Sequence, residues 1–316
     1  MINIKSFLEK KYMKFTYTQW NILKNLIPLN LSEKEIINLK KINKNLSLNE
    51  IKKIYIPLSQ LLHFFINSNQ YNKKKNKEIL YKKKYKIPYI IGITGSVSIG
   101  KSTTARLLQI LLSHWKEHKS VEIITTDNFL YSNKILHKNG IMKLKGFPQS
   151  YNIYEMIKCI SNIKSGIKYI KTPIYSHLNY DILSNCNKII KQPDIIILEG
   201  LHILQNQINY LYDKNHVYIS DFIDFSIYID APEKFIKNWY INRFLKFRHK
   251  AIYNPDSYFY HYSTLPIFKT VNIAKKIWNT INKLNLQQNI LPTRKKAHLI
   301  ITKNYFHKIE SIYLMK

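Results

Sequence analysis

From residue 87 onward, short apolar runs rich in β-branched residues alternate with stretches of helical periodicity. The runs at 89–94, 121–126, 194–198, 225–229 and 298–302 are mostly apolar, with few polar residues inside them such as Glu122 and Ser226. Strands of that kind are covered on both faces, so the pattern predicts an α/β fold with a mainly parallel sheet flanked by helices. Residues 1–86 read differently, as polar and helical. Leu31-Ser32-Glu33-Lys34-Glu35 and Leu46-Ser47-Leu48-Asn49-Glu50 each set a serine ahead of an acidic residue, as helix starts do. Tyr55 to Phe65 carries a wide apolar face suited to packing on a core. The expected organisation is a helical N-terminal extension, residues 1–86, packed on a core of residues 87–316, the two forming one compact domain.

The first apolar run leads into Gly95, Ser96, Val97, Ser98, Ile99, Gly100, Lys101 and Ser102, followed by Thr103 and a helical stretch to Glu117. This is a complete G-x-x-x-x-G-K-[ST] phosphate loop between a strand and a helix. Its backbone N–H groups and the following helix N-terminus suit a nucleotide triphosphate. Gly95 and Gly100 permit angles and approaches that a Cβ would block. Lys101 would reach the β- and γ-phosphates, and the Ser102 hydroxyl would ligate Mg²⁺. With only seven glycines in the chain, the motif would arise by chance in roughly a few per thousand such sequences. The core is therefore expected to be a P-loop kinase core using ATP and Mg²⁺.

Phosphate loops lie at the carboxyl edge of such a sheet, so residues that end the other strands become candidates. Asp127 follows the second run, Glu199 the third and Asp230 the fourth. Asp230 precedes Ala231-Pro232-Glu233, and proline near a helix start favours a capping role there. Asp127 and Glu199 precede no obvious helix. Phosphoryl transfer needs one group to accept the attacking hydroxyl's proton, and Asp127 suits that base. Glu199 ends an Ile-Ile-Ile-Leu-Glu run and could hold Mg²⁺ directly or through water. On residue type alone, a structural partner is the alternative reading for each.

Charge and composition alter this picture little. The net charge of +31 suggests a polyanion partner at first sight, yet of 50 basic residues only four are arginine. The abundance of Lys, Ile, Asn and Tyr, whose codons are A/T-rich, points to genome composition. Lysines spread along the whole chain make a diffuse field rather than a groove. The densest stripe, residues 71–86 with Lys73–Lys75 and Lys82–Lys84, reads as a solvated face. Against this background the four arginines, Arg106, Arg243, Arg248 and Arg294, mark positions that suit a planar guanidinium. Cys159 and Cys186 have no metal or redox spacing, and no run reaches the roughly 18 apolar residues of a membrane span. A cytoplasmic setting, without membrane or nucleic acid as partner, is the expectation.

Further segments carry a family likeness. Residues 87–106 lead into Ile-Thr-Thr-Asp (124–127), Lys-Gly-Phe-Pro (145–148), Pro-Ile-Tyr-Ser-His (173–177) and Leu-Glu-Gly-Leu (198–201). Trp-Tyr-Ile-Asn-Arg-Phe-Leu-Lys-Phe-Arg (239–248) and Asn-Ile-Leu-Pro-Thr-Arg (289–294) follow. Together they resemble the bacterial type I pantothenate kinases, within the phosphoribulokinase and uridine kinase branch of P-loop kinases; Tyr55-Ile56-Pro57-Leu58-Ser59 extends the likeness over nearly the whole chain. The resemblance implies transfer of the ATP γ-phosphate to the primary hydroxyl of pantothenate, the first step towards coenzyme A. It implies Asp127 as the base, with Lys101 also in catalysis, and Tyr175, His177, Tyr240, Arg243 and Asn282 as the pantothenate pocket. It also implies Asn43 and His307 near the adenine, and feedback inhibition by coenzyme A at Lys101, Arg106, His177 and Phe247. A homodimer is implied too.

Two positions depart from the family pattern, which places Gly after the catalytic Asp and reads Ser-Tyr-Asp where this chain has Ser150-Tyr151-Asn152. Asn128 tolerates left-handed backbone angles, so the turn is expected to survive; Asn152 removes a charge near the site. The nearest alternative is a uridine kinase- or phosphoribulokinase-like enzyme with another small acceptor. The alternative of a different class is a basic nucleotide- and nucleic-acid-binding protein, for which no second helicase-like motif and no zinc or RNA-binding signature is present.

Overall fold

The apolar run that enters the phosphate loop is the middle one of five parallel strands, and every one of its residues is buried. The computed structural model describes residues 10–22, 29, 31–43, 46–80, 87–118, 120–205 and 217–316; Lys82–Lys84 of the lysine stripe lie outside them. In chain order the strands are β1 (Tyr12–Phe15), β2 (Tyr89–Gly95), β3 (Val121–Thr125), β4 (Tyr169–Ser176), β5 (Asp181–Lys191), β6 (Ile195–Glu199), β7 (Phe225–Asp230), β8 (Leu299–Lys303) and β9 (Ile309–Met315). The main helices are α1 (Tyr17–Ile22), α2 (Glu33–Lys40), α3 (Ile56–Leu80), α4 (Lys101–Ser113), α5 (Asn133–Lys138), α6 (Ile153–Lys164), α7 (Glu233–Ala251) and α8 (Ile267–Ile277).

Seven strands form one sheet in the order β1-β9-β8-β7-β2-β6-β3. The five from β3 to β8 run parallel, with Ile91 opposite Ile197 on one side and Phe225 on the other. β9 and β1 add antiparallel strands at the β8 edge. Residues 1–86, read as helical, thus contribute a strand. Its four residues are too few, and too exposed at Met13 and Lys14, to show a strand period. Trp20, Ile36, Leu39, Ile54, Leu58 and Leu62 are buried in the same apolar cluster as Ile91, Leu108 and Ile197. Both expected helix starts form: Ser32 and Glu35 make a reciprocal capping box, and Ser47 accepts the Glu50 N–H.

β4 and β5 form a separate two-stranded sheet. Most of its residues are exposed or half-buried, so it has no apolar run to announce it. All parallel strands end on the same edge, which sets the phosphate loop, Asp127, Glu199, Asp230 and Lys303 side by side.

Candidate phosphoryl-transfer site

The loop between β2 and α4 has the backbone its glycines permit. Gly95 has φ +139°, and a Cβ there would lie 2.3 Å from the Ile229 carbonyl oxygen. Gly100, at φ +103°, is the N-cap of α4 and offers no side-chain cap, so the first-turn N–H groups stay open to an anion. The hydroxyls of Ser96 and Ser98 are buried without a protein partner. Buried polar groups seek partners, and phosphate oxygens would supply them. Lys101 Nζ donates to the Ser96 carbonyl at 2.8 Å. Desolvation draws its pKa down to about 8 against the opposing pull of Glu199 and Asp127. The Ser102 hydroxyl lies 3.0 Å from both carboxylate oxygens of Glu199. Burial raises the Glu199 pKa, and Lys101 and Ser102 oppose that rise. One hydroxyl and one carboxylate at this point are hard oxygen donors, the type that suits Mg²⁺.

Asp127 sits in the 3₁₀ turn Thr126–Phe129 that ends β3. Tyr151 donates its phenolic O–H to Asp127 Oδ1 at 3.4 Å. The Asp127 charge acts on Lys101, Lys145, Tyr175, His177 and Glu199, so all five lie within its electrostatic reach. Tyr175 and His177 meet edge to face, ring centroids 5.2 Å apart, at the end of β4. Desolvation lowers the His177 pKa, and the nearby Arg243 and Arg106 charges reinforce that against Asp127. On α7, Tyr240 hydrogen-bonds Asn282, and burial pushes its phenol up to about 12. Arg243 lies over the Phe247 ring at 5.1 Å, and both line an open surface cavity of about 420 Å³ with Lys246, His249 and Lys250. Asn43 Nδ2 donates to Thr103 Oγ1 at 3.4 Å, against the start of α4. His307 stacks on Trp239 with centroids 3.6 Å apart, and burial, aided by Lys303 and Lys246, lowers it to about 4.

The capping role read for Asp230 does not occur. Pro232 is the N-cap of α7 without a side-chain bond, and Asp230 instead pairs with Arg294 at 2.9 Å. Asn152 caps α6, accepting the Glu155 N–H. Asn128 does not adopt a left-handed conformation, so the turn does not depend on that tolerance. Its side chain accepts the Tyr175 N–H at 3.1 Å.

Two site lysines escaped the sequence reading. Lys145 donates to Asn133 Oδ1 at 2.6 Å and lies over the Tyr180 ring at 4.2 Å, close to Asp127. Lys303 is buried beneath the phosphate loop and donates to the Ile99 carbonyl at 3.1 Å. In so lysine-rich a chain, a lysine carries no signal by itself. Lys145 had one in its Lys-Gly-Phe-Pro segment; Lys303 had none.

A phosphate loop at the carboxyl edge of a parallel sheet, a carboxylate beside its serine and a second carboxylate facing its lysine define a P-loop phosphotransferase. Residues 90–253 match the phosphoribulokinase/uridine kinase family. Pantothenate kinase of Serratia proteamaculans is 55% identical over 316 residues, covering 100% of both chains. That of Yersinia enterocolitica is 56% identical over 309 residues, covering 98% of each. The D-glycerate 3-kinase structure from Cryptococcus neoformans shares the fold at TM-score 0.52 and 14% identity, covering 80% of this chain and 97% of that one. The chain belongs to the phosphoribulokinase/uridine kinase family and, within it, groups with the pantothenate kinases.

Proposed function

We propose that this enzyme transfers the γ-phosphoryl group of ATP to the primary hydroxyl of pantothenate, giving 4'-phosphopantothenate and ADP, as the first step of coenzyme A biosynthesis. The observation that carries the site assignment is the convergence on Asp127 of the phosphate-loop cation Lys101, the Glu199 carboxylate, and Tyr175 with His177. Asp127 accepts the proton of the attacking hydroxyl, and Lys101 neutralises charge on the transferring phosphoryl group. Tyr175, His177, Tyr240, Arg243 and Asn282 orient the acceptor. Its carboxylate suits a guanidinium; its amide and second hydroxyl suit neutral donors and acceptors. Desolvation favours the neutral imidazole of His177, which can both donate and accept. Ser102 and Glu199 would hold Mg²⁺, which when bound neutralises phosphate charge. Asn43 beside α4 and His307 on Trp239 flank the adenine.

The same residues support a regulatory reading. Coenzyme A shares the pantothenate moiety and carries phosphates, so Lys101, Arg106, His177 and Phe247 suit it as a competing inhibitor. The enzyme acts as a homodimer in the cytoplasm on this reading; among the described residues no helix is long and apolar enough to cross a membrane.

A coupled ADP-release assay with pantothenate, uridine and ribulose 5-phosphate tests the acceptor. Pantothenate-dependent turnover is expected, and turnover with uridine alone would overturn the proposal. Asp127→Ala is expected to lose at least about 100-fold in kcat while ATP binding persists. Near-normal turnover would remove Asp127 from the base role.

A further inference from the structure

The catalytic turn follows β3 of the seven-stranded sheet, whereas the hairpin that carries Tyr175 and His177 is the separate two-stranded sheet. Nothing in the strand ladder fixes one against the other, although the proposed chemistry needs them in register to a fraction of an ångström. The hairpin ladder is itself interrupted at this point. Pro173 pairs with Asn187, but Tyr175 pairs with Ile182, so the register shifts between them. Two residues of β4 thus span five of β5, an irregularity that re-aims its neighbours. Here the Tyr175 N–H leaves the hairpin and meets Asn128 Oδ1 at 3.1 Å.

Asn128 directly follows Asp127. One side-chain bond therefore runs from the residue next to the proposed base to the residue that begins the Tyr175-Ser176-His177 segment. Glycine or alanine at 128 would offer no acceptor, leaving a half-buried backbone N–H to find water. The backbone at Asn128 does not need glycine, since its φ is not positive. The amide oxygen is what the residue contributes.

A second tie holds the far end of the same segment. The Asn133 N–H donates to Asp181 Oδ1 at 2.9 Å, and Asn133 Nδ2 donates to the Tyr180 carbonyl at 3.1 Å. Lys145 donates to both Asn133 Oδ1 and the Tyr180 carbonyl. With Asn133 and Lys145 at one end, removing the Asn128 bond frees only the Tyr175 end, so its loss should misplace the acceptor without unfolding the hairpin.

We propose that Asn128 is a positioning residue for the phosphoryl acceptor, its amide oxygen fixing Tyr175 and His177 relative to Asp127. This rests on the reading of Asp127, Tyr175 and His177 as the acceptor site. Steady-state kinetics of Asn128→Ala, Asn128→Gly and Asn128→Asp, with Asp127→Asn alongside, test it. In the alanine and glycine variants, kcat/KM for pantothenate should fall about 10-fold while KM for ATP and the urea unfolding midpoint hold. Asn128→Asp keeps the acceptor oxygen and should retain the wild-type KM for pantothenate. Its added charge beside Asp127 should also move the acid limb of the pH–rate profile upward, since a like charge favours protonation. Wild-type kcat/KM in the alanine and glycine variants with an inactive Asp127→Asn would overturn the positioning role alone. A fully active Asp127→Asn would overturn the site reading beneath it. Equal rises in both KM values, or a lost unfolding midpoint, would make Asn128 a general structural residue and overturn the proposal.

Discussion

Three lysines differ from those on a solvated surface. Burial draws Lys101, Lys145 and Lys303 down to about 8, and each donates to a backbone carbonyl at or beside the site. A buried ammonium is retained against desolvation only where it has partners. Lys303 reaches from the end of β8 to the Ile99 carbonyl, and its Nζ would lie 2.8 Å from a Cβ at Gly100. It therefore fixes the back of the loop whose front takes phosphate. Lys303→Met removes that donor, leaves a loop carbonyl unpaired and lets the loop relax. KM for ATP should rise about 3- to 10-fold with KM for pantothenate unchanged, a split that steady-state kinetics with each substrate varied will show. An unaltered KM for ATP would mean that the loop holds its shape without the lysine.

At the scale of elements, the parallel strands were legible because burial on both faces favours mostly apolar runs, fully so in β2 and β6 and less so at the half-buried edge strand β3. All five expected strands form to within a residue or two. β1, β4, β5 and β9 were not legible: they are edge or hairpin strands, where half-exposed positions let lysine, asparagine and serine interrupt the period. The positions of the proposed base and metal carboxylates were legible for the same reason as the strands, since each ends an apolar run. Tyr240, Arg243 and Phe247 showed only through the resemblance of the 239–248 segment, and the hairpin's contribution came from the Tyr-Ser-His segment rather than from its strands. Helix starts were legible through side-chain chemistry. Ser32 Oγ accepts from the Glu35 N–H at 3.3 Å, and Glu35 Oε2 accepts from the Ser32 N–H at 2.7 Å. This cap anchors α2, whose Ile36 and Leu39 enter the core, and Glu35 also reaches His114, the C-cap of α4, at 3.2 Å. Ser32→Ala should lower the unfolding free energy by about 1 kcal/mol in urea titrations and leave kinetics alone. A midpoint equal to wild type would show that water replaces the cap without loss.

The whole molecule carries +31 with its histidines neutral, so each histidine that gains a proton adds to an existing self-repulsion. Several cannot gain one readily while folded. His63 Nδ1 and His118 Nε2 lie 3.0 Å apart, Asn67 occupies the other His63 nitrogen, and Trp115 stacks on His63 at 3.8 Å. Burial lowers both pKa values, and at His118 the His63 charge adds to the effect against weaker opposition from Asp194 and Glu117. Burial also takes His202 and His307 to about 4. For each, the folded pKa lies below the unfolded one, so the unfolded chain binds protons first. Their contribution is therefore fully present above the unfolded value of about 6.5 and is lost as pH falls towards 4. Glu199 and Asp230, raised by burial, act in the opposite sense, but they are two groups against four histidines. The urea midpoint should accordingly fall between about pH 7.5 and about pH 5. The fall should be steeper in about 0.05 M salt than in about 0.5 M, because screening weakens only the self-repulsive part. His118→Gln, which cannot be protonated, should flatten the slope at both salt concentrations. A midpoint that holds or rises on acidification would mean that the buried histidines titrate as if exposed.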